Sequence, residues 1–311
     1  MNTLEVLELL DDNESITAEE IAQQLCISRI GVWENVEKLR ENGFGIELNE
    51  DGYSLESVAE YGEYGIKQYL DTDQFGEYID FRTEVESTNE LASEAAQECA
   101  PEGTVVVAEK QTGGRGRRDR DWESPEGGVY LSVVLRPDIS AGEASILTLG
   151  SGVAVARSLK NLGLDPSIKW PNDVLLDEGK AAGILTELEA KPGRVNYVVV
   201  GIGLNFRGTP VVEDADADPV SIEDLLSRDL DRAEFVADLL SEFEEVYEME
   251  RQKLFEEWRS FSGTLGSDVR VELDDDVTSG RAVDIDDTGA LVIETEDGER
   301  TVNSGDCHHL R

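Results

Sequence analysis

Lysine is scarce in this chain, with eight in 311 residues, and histidine and methionine occur twice each. Against 27 Lys plus Arg stand 69 Asp plus Glu, for a formal net charge of −42. No apolar run approaches the ~20 residues of a membrane span, so no contact with a membrane is expected. Three cysteines (Cys26, Cys99 and Cys307) are far apart and form no CxxC pair. That pattern excludes a disulfide framework and fits a reducing cytoplasm. The first twelve residues, MNTLEVLELLDD, lack a basic n-region, so no secretory signal is expected. The acid is spread evenly, and hydrophobic residues make up 39% of the chain, which excludes a disordered acidic tail and allows packed cores. Such a composition suits molar salt, where the Debye length contracts to about 3 Å and self-repulsion is screened. A halophilic cytoplasm is the expectation.

What is present divides by pattern into an α+β chain of three parts. Residues 1–62 predict a winged helix-turn-helix. Leu4, Leu7 and Leu10 share one helical face, Thr17 and Glu20 form a capping box before a second helix, and Ser28 caps a third helix with Val32, Val36 and Leu39 inward. The turn Asn49-Glu-Asp-Gly52 between alternating strands supplies the wing. Residues 63–79, rich in Tyr, Gly and Asp, are expected to be a linker. Residues 80–262 predict a helix after Ser87, six strands joined mostly by short turns, one central helix and two acidic helices, at 221–227 and 232–260. Short turns imply antiparallel neighbours, hence a mixed sheet rather than a doubly wound one. Residues 263–311 alternate in short strands and predict a small β-barrel.

The positive charges are concentrated. Gly113–Trp122, GGRGRRDRDW, carries four arginines on a glycine-rich loop after the buried strand VVVAE. Glycines let backbone N–H groups approach an anion, and arginines add forked donors for carboxylate or phosphate. The loop alone leaves two readings open, an anion site or a solvated turn balanced by Asp119, Asp121 and Glu123. In water a charge pair at 4 Å is worth only ~1 kcal/mol, against ~4 kcal/mol at an effective dielectric of 20. A chain this acidic therefore needs a shielded positive site to hold an anion. Lys180 precedes an apolar run, either as a snorkelling edge lysine or aimed into a pocket. Pro171-Asn-Asp173 is a good turn without any function. Ser87 and Glu90 make a helix cap, and a helix N-terminus also suits an anion. The glycines of Gly201-Ile-Gly-Leu-Asn205 mark close backbone approach or a bulge. Asp306-Cys-His-His309 lacks zinc spacing and is read as surface or barrel edge, so no metal ligand is assigned.

Taken in order, STN at 87–89, KQTGGRGRRDRDW at 110–122, KWPNDV at 169–174, GKAAGIL at 179–185 and GIGLNF at 201–206 resemble the biotin–protein ligases, or biotin–[acetyl-CoA-carboxylase] ligases. The resemblance extends to the class with an N-terminal helix-turn-helix and a C-terminal SH3-like barrel. It implies a biotin/lipoate-ligase-like catalytic domain that makes biotinyl-5′-adenylate from biotin and ATP, with Mg²⁺, and transfers biotin to a lysine of a biotin carboxyl carrier protein. It implies that Ser87, Thr88, Asn89 and Gln111 hold the biotin ring. Arg115, Gly116 and Arg117 would close over the carboxylate and adenylate, and Lys180 would reach both carboxylate and α-phosphate. Arg120, Trp122, Asn172 and Asn205 would lie on the nucleotide side, and Asp173 would orient or deprotonate the acceptor amine. Arg118 is expected to be a surface charge. Asp119 departs from the glycine of many relatives and places an acid inside the loop.

Two alternatives accompany this expectation. One is a lipoate–protein ligase on the same fold. The other is a DNA-binding regulator, alone or combined with the ligase. If the third helix contacts operator DNA, Ser28, Arg29, Trp33 and Lys38 are the residues expected to do so, with a homodimer as the assembly. Charge opposes it: residues 1–60 hold 15 acidic residues against Arg29, Lys38 and Arg40, a net of −12, whereas phosphate neutralisation drives most nucleic-acid affinity.

Overall fold

The computed structural model describes residues 2–58, 61–191, 194–210, 217–273 and 276–310. The chain divides into two compact units, Met1–Asp71 with Asp231–Asp238, and Thr72–Leu230 with Leu239–Arg311.

The first unit opens with α1 (Asn2–Asp11), α2 (Ala18–Gln24) and α3 (Arg29–Glu41), followed by the hairpin β1 (Gly45–Asn49) and β2 (Gly52–Ser57). Both predicted caps form. Thr17 Oγ1 accepts from Glu20 N at 3.2 Å while Glu20 Oε2 accepts from Thr17 N at 2.9 Å, and Ser28 Oγ accepts from Gly31 N at 3.0 Å. Val6, Leu7 and Leu10 pack with Ile21, Val32, Val36, Leu39, Phe44, Ile46 and Tyr53 in one core. Gly52 has φ +128°, and a Cβ there would overlap Ile16 O, so the wing turn requires glycine. The expected linker is more ordered than its composition suggests. It holds α4 (Glu63–Lys67), with Ile66 fully buried, and Phe75 meets Phe243 edge-on at 5.4 Å.

The second unit is built on a seven-stranded sheet. Its elements are β3 (Ile79–Val85), α5 (Thr88–Gln97), β4 (Val105–Gln111), β5 (Val129–Leu135), α6 (Ser145–Asn161), β6 (Ser167–Lys169), β7 (Asp173–Leu176), β8 (Gly179–Lys191) and β9 (Arg194–Leu204). The strand order is β3-β4-β5-β9-β8-β7-β6. Only β3 and β4 are parallel, joined through α5, and every other pair is antiparallel. The valine-rich runs of β5 and β9 lie in the middle of this order and are buried. β3 escapes sequence reading because Ile-Asp-Phe-Arg-Thr-Glu-Val alternates weakly, as a half-exposed edge strand does.

Then follow α7 (Ile222–Leu226), α8 (Arg232–Tyr247) and α9 (Arg251–Phe261). The single helix expected over 232–260 is therefore two. The break at Glu248–Glu250 lets α9 bury Leu254, Phe255 and Trp258. Gly150 of α6 meets Val246 and Leu254 there, where a Cβ would lie 3.3 Å and 3.7 Å from their methyls. The C-terminal sheet contains β10 (Asp268–Glu272), β11 (Val277–Ile285), β12 (Leu291–Thr295), β13 (Gly298–Val302) and β14 (Asp306–His309), ordered β13-β12-β11-β10-β14 and wholly antiparallel. β14 is an edge strand, and there the DCHH run resides.

Candidate active site

Three motifs meet at the start of α5. Ser87, Thr88 and Asn89 are each 4% exposed and line a cleft that opens to solvent. The capping box expected of Ser87 and Glu90 is absent, because other partners take both jobs. Thr88 N donates to Gln111 Oε1 at 2.8 Å, so a strand side chain caps the helix, and Glu90 Oε1 binds Arg115 Nη2 at 2.7 Å. Ser132 Oγ lies 2.8 Å from Thr88 Oγ1 and 2.6 Å from Asn89 Oδ1. Asn89 Nδ2 donates to Glu187 Oε2 at 2.7 Å, and Gln111 Nε2 to Ser124 Oγ at 2.9 Å. A Cβ on Gly201 would overlap Asn89 Oδ1, which makes that glycine a close approach rather than a bulge. A satisfied buried polar network of this kind holds its members rigidly for a polar ligand. Ser132, Ser124 and Glu187 carried no signal in the sequence, since each sits alone within an otherwise ordinary strand or loop.

The arginine loop closes on itself. Trp122 N donates to Gly114 O at 2.8 Å and Gly116 N to Arg120 O at 2.7 Å, around one turn of 3₁₀ helix at Arg117–Asp119. Arg118 adopts φ +56° within it. Each arginine has a protein partner. Arg117 Nη1 donates to Asn172 Oδ1 at 3.1 Å and to Gly305 O at 3.2 Å. Arg118 Nη1 reaches Asp306 Oδ2 at 2.9 Å and Glu272 O at 3.3 Å, and Arg120 Nη2 shares Asp306 Oδ2. Arg118, expected to be a plain surface charge, is thus exposed yet tied to the C-terminal sheet. The Asp119 side chain lies outside the described residues.

Burial opposes ionisation of Asp306, but the Arg118 hydrogen bond and the charges of Arg120, Arg118 and Arg117 outweigh it and hold the carboxyl below the usual range. Burial also draws the Arg117 guanidinium down, against the pull of Asp306 and Asp173. It remains a cation, since arginine starts far above neutral pH.

Lys180 enters the cleft from β8. Its Nζ is 2.8 Å from Asp173 Oδ1 and 5.0 Å from the centre of a Trp122 ring. The snorkelling reading does not hold, because the side chain lies within the cleft wall. Trp122 lies flat enough on the sheet to need two glycines. A Cβ on Gly203 would sit 2.6 Å from Trp122 Nε1, and one on Gly183 would sit 3.0 Å from Cζ3. The structure thus brings Ser87, Thr88, Asn89, Gln111, Arg115, Gly116, Arg117, Arg120, Trp122, Asn172, Asp173 and Lys180 into one wall. Asn205 stands behind that wall, donating from Nδ2 to Lys180 O at 2.9 Å. Asn172 is held at both ends, with Nδ2 donating to Ile184 O at 3.0 Å. The C-terminal sheet, unsuspected as a contributor, adds Gly305, Asp306 and Cys307. The segments before β10 and between β11 and β12 brace Trp170, whose N donates to Thr264 Oγ1 at 2.9 Å and Nε1 to Gly289 O at 3.2 Å. Among the described residues no three His, Cys, Asp or Glu side chains converge as a metal cage, DCHH included.

In the first unit, Ser28 is engaged as a helix cap and Arg29 Nη1 pairs with Glu19 Oε1 at 2.7 Å. Arg40 donates to Ile46 O and pairs with Glu37. Trp33 and Lys38 are exposed on α3.

Comparison with known proteins agrees with this arrangement. The profile of the Biotin/lipoate A/B protein ligase family matches residues 82–205, that of the Biotin protein ligase C terminal domain matches 264–310, and an HTH domain matches 2–62. The Bifunctional ligase/repressor BirA of Bacillus subtilis is 36% identical, with 94% of each chain covered. The Biotin--[acetyl-CoA-carboxylase] ligase of Mycobacterium tuberculosis is 38% identical over 75% of this chain and 89% of its own. Among solved structures, the biotin protein ligase from Aquifex aeolicus in complex with biotin and ATP is similar with a TM-score of 0.64, at 29% identity, over 76% of this chain and 99% of that one. The extent of these matches shows that the chain belongs to the biotin protein ligase family, in its three-part form with an N-terminal helix-turn-helix, a central ligase domain and the family's C-terminal domain.

Proposed function

We propose that the cleft joins biotin to ATP as biotinyl-5′-adenylate and then transfers the biotinyl group to one lysine of a biotin carboxyl carrier protein. The observation that carries this reading is Lys180 Nζ, held by Asp173 and Trp122 in a wall shared with Arg117 and the Ser87–Asn89 network. Two anions, a carboxylate and a phosphate, must meet against their repulsion. Fixed cations in the cleft wall offset that repulsion and stabilise charge on the phosphoryl oxygens in the transition state.

The buried Thr88 and Asn89 and the half-buried Gln111 present fixed amide and hydroxyl groups to the polar ring of biotin. A biotin carboxylate oxygen forms its bond to the α-phosphorus as the bond to the β-phosphate oxygen breaks, with Lys180 and Arg117 over the reacting oxygens. In the second step the acceptor amine attacks the acyl carbonyl, AMP leaves, and the amine gives up a proton. A free lysine, with pKa near 10.4, is only about one part in a thousand neutral near pH 7.4. Asp173, a carboxylate beside the reacting region, is suited to orient the amine and accept that proton. Magnesium is implied by the ATP chemistry and would be held on the ATP phosphates, as hard cations commonly are. The reading implies a compartment that supplies ATP and carrier, for which the cytoplasm is the expectation.

The test is ATP-dependent transfer of labelled biotin to a carrier domain. Transfer of lipoate in preference to biotin would overturn the assignment. The winged helix extends the proposal to operator DNA, with a homodimer able to span two half-sites, and Trp33 and Lys38 exposed on α3. A gel shift at high potassium, with biotin and ATP present, tests that extension.

A further inference from the structure

The turn over residues 170–173 carries Asn172 and Asp173 of the cleft wall, and residues that do not line the cleft pin it. Next to β6 the segment 262–264 runs parallel to the strand. Ser262 bridges Ile168, and Gly263 N donates to Ile168 O at 2.9 Å. Two residues on, a side chain replaces the backbone as acceptor. Trp170 N donates to the Thr264 hydroxyl at 2.9 Å, and Thr264 is fully buried. The same Oγ1 lies 3.0 Å from His309 Nε2 of β14.

A hydroxyl has one proton to give and two lone pairs. The Trp170 N–H takes one lone pair, and His309 Nε2 is the acceptor left for the proton among the described residues. Nε2 is therefore unprotonated, and the neutral ring carries its hydrogen on Nδ1. Its surroundings keep it neutral. Burial first, then the Lys169 ammonium of β6, draw the imidazole below its ordinary value. The residue opposite on β10 is Val269, which brings no charge. Cys307, two residues back on β14, has its thiol pushed up to about 12 by burial and is neutral as well. If the ring gained a proton, Nε2 would become a donor. The hydroxyl would then receive two N–H groups, and its own buried proton would have no acceptor. A second cation would also stand near Lys169. We infer that Thr264 and neutral His309 form a positioning pair that fixes the turn over residues 170–173, and with it Asn172 and Asp173. The inference rests on the ligase reading proposed above. Both residues act through the Trp170 backbone rather than on substrate.

Biotin-dependent ATP–pyrophosphate exchange, followed from mildly basic to mildly acidic pH, tests the pair, with circular dichroism reporting the fold at each pH. In Thr264→Val, which loses only the hydroxyl's bonds, kcat should fall about tenfold or more, as misplaced reacting groups do. Biotin affinity, set by Ser87, Thr88 and Asn89, should stay within about twofold. Thr264→Ser should restore most of kcat. His309→Gln offers an amide oxygen to the hydroxyl at every pH. It should stay within about threefold of wild type in mild base and overtake it in acid. Below the folded pKa of His309, itself under about 6.5, the neutral ring declines about tenfold per pH unit, and the ratio of wild-type to variant rate should decline with it. Titration of ATP and pyrophosphate cancels in that ratio, because both enzymes use the same substrates. A ratio constant across pH, or a folded Thr264→Val with wild-type kcat, would overturn the inference. If Thr264→Val does not fold, the pH dependence of the His309→Gln ratio decides alone. Absence of exchange in the wild type would instead sink the ligase reading itself.

Discussion

At the residue scale, environment separates groups of the same chemical type. Lys180 and Lys169 both line the cleft, but one is paired with Asp173 and the other has no carboxylate partner among the described residues. Lys180→Met should depress adenylate formation by about 10²-fold to 10³-fold, the usual cost of one preorganised donor. Pre-steady-state formation of the adenylate would show it, and normal formation would refute the role assigned. Asp173→Asn should slow transfer to the carrier more than adenylation, read from single-turnover kinetics of the two steps. Cysteine behaves in the same environment-dependent way. Cys26 and Cys99 are exposed, whereas Cys307 is buried with its thiol pushed up to about 12. Alkylation of the folded protein at pH 8 should therefore modify Cys26 and Cys99 and spare Cys307 until unfolding, because the thiolate is the reactive form. Peptide mapping decides it.

At the element scale, the arginine loop is held by a strand from the C-terminal sheet. Asp306 of β14 receives Arg118 and Arg120, while Gly305 O receives Arg117. A carboxylate with a depressed pKa contributes stability that is complete above its unfolded value, about 3.9. That contribution disappears as pH falls through the folded value. The stability difference between wild type and Asp306→Asn should thus be largest above pH 4 and shrink towards zero in stronger acid. Urea unfolding across pH would measure it, and a difference independent of pH would mean that the charge of Asp306 does not matter. The sheet makes a similar demand for space. Gly201→Ala would drive a methyl into Asn89 Oδ1 and break its contact with Ser132. Biotin affinity should fall by more than that of ATP, a split readable by calorimetry.

At the scale of the whole molecule, charge governs behaviour. With a net charge of −42, self-repulsion opposes the compact state until salt screens it. The melting temperature should rise from dilute buffer to molar KCl, and full stability in dilute buffer would remove the halophilic explanation. The first unit carries the same burden. Arg29 is paired with Glu19, and Arg40 is engaged with Glu37 and Ile46 O, which leaves little cation for phosphate. Operator affinity, if present, should depend on salt far less steeply than for a basic winged helix, where each phosphate contact adds to the slope.

The winged helix was legible in local chemistry, because caps, a 3.6-residue period and an NEDG turn are all decided within a few residues. The antiparallel part of the large sheet was legible for the same reason, from short turns between apolar strands. The five motifs named most of the wall of the cleft through their resemblance to a family. Other features depended on residues distant in the chain. Gln111, rather than Glu90, caps α5, and Glu90 turns instead to Arg115. Gly183, Gly201 and Gly203 are spacers for Trp122 and Asn89, a role that no local pattern distinguishes from a bulge. Asp306 acquires its meaning only when β14 meets the arginine loop. Hydrogen bonding within a turn or helix is set by neighbours in sequence, whereas the pairing of a buried charge is set by whatever the fold brings within a few ångströms. For that reason the sequence by itself determined most of the elements and the family, and the tertiary structure decided which cations of the cleft wall are held by partners distant in the chain.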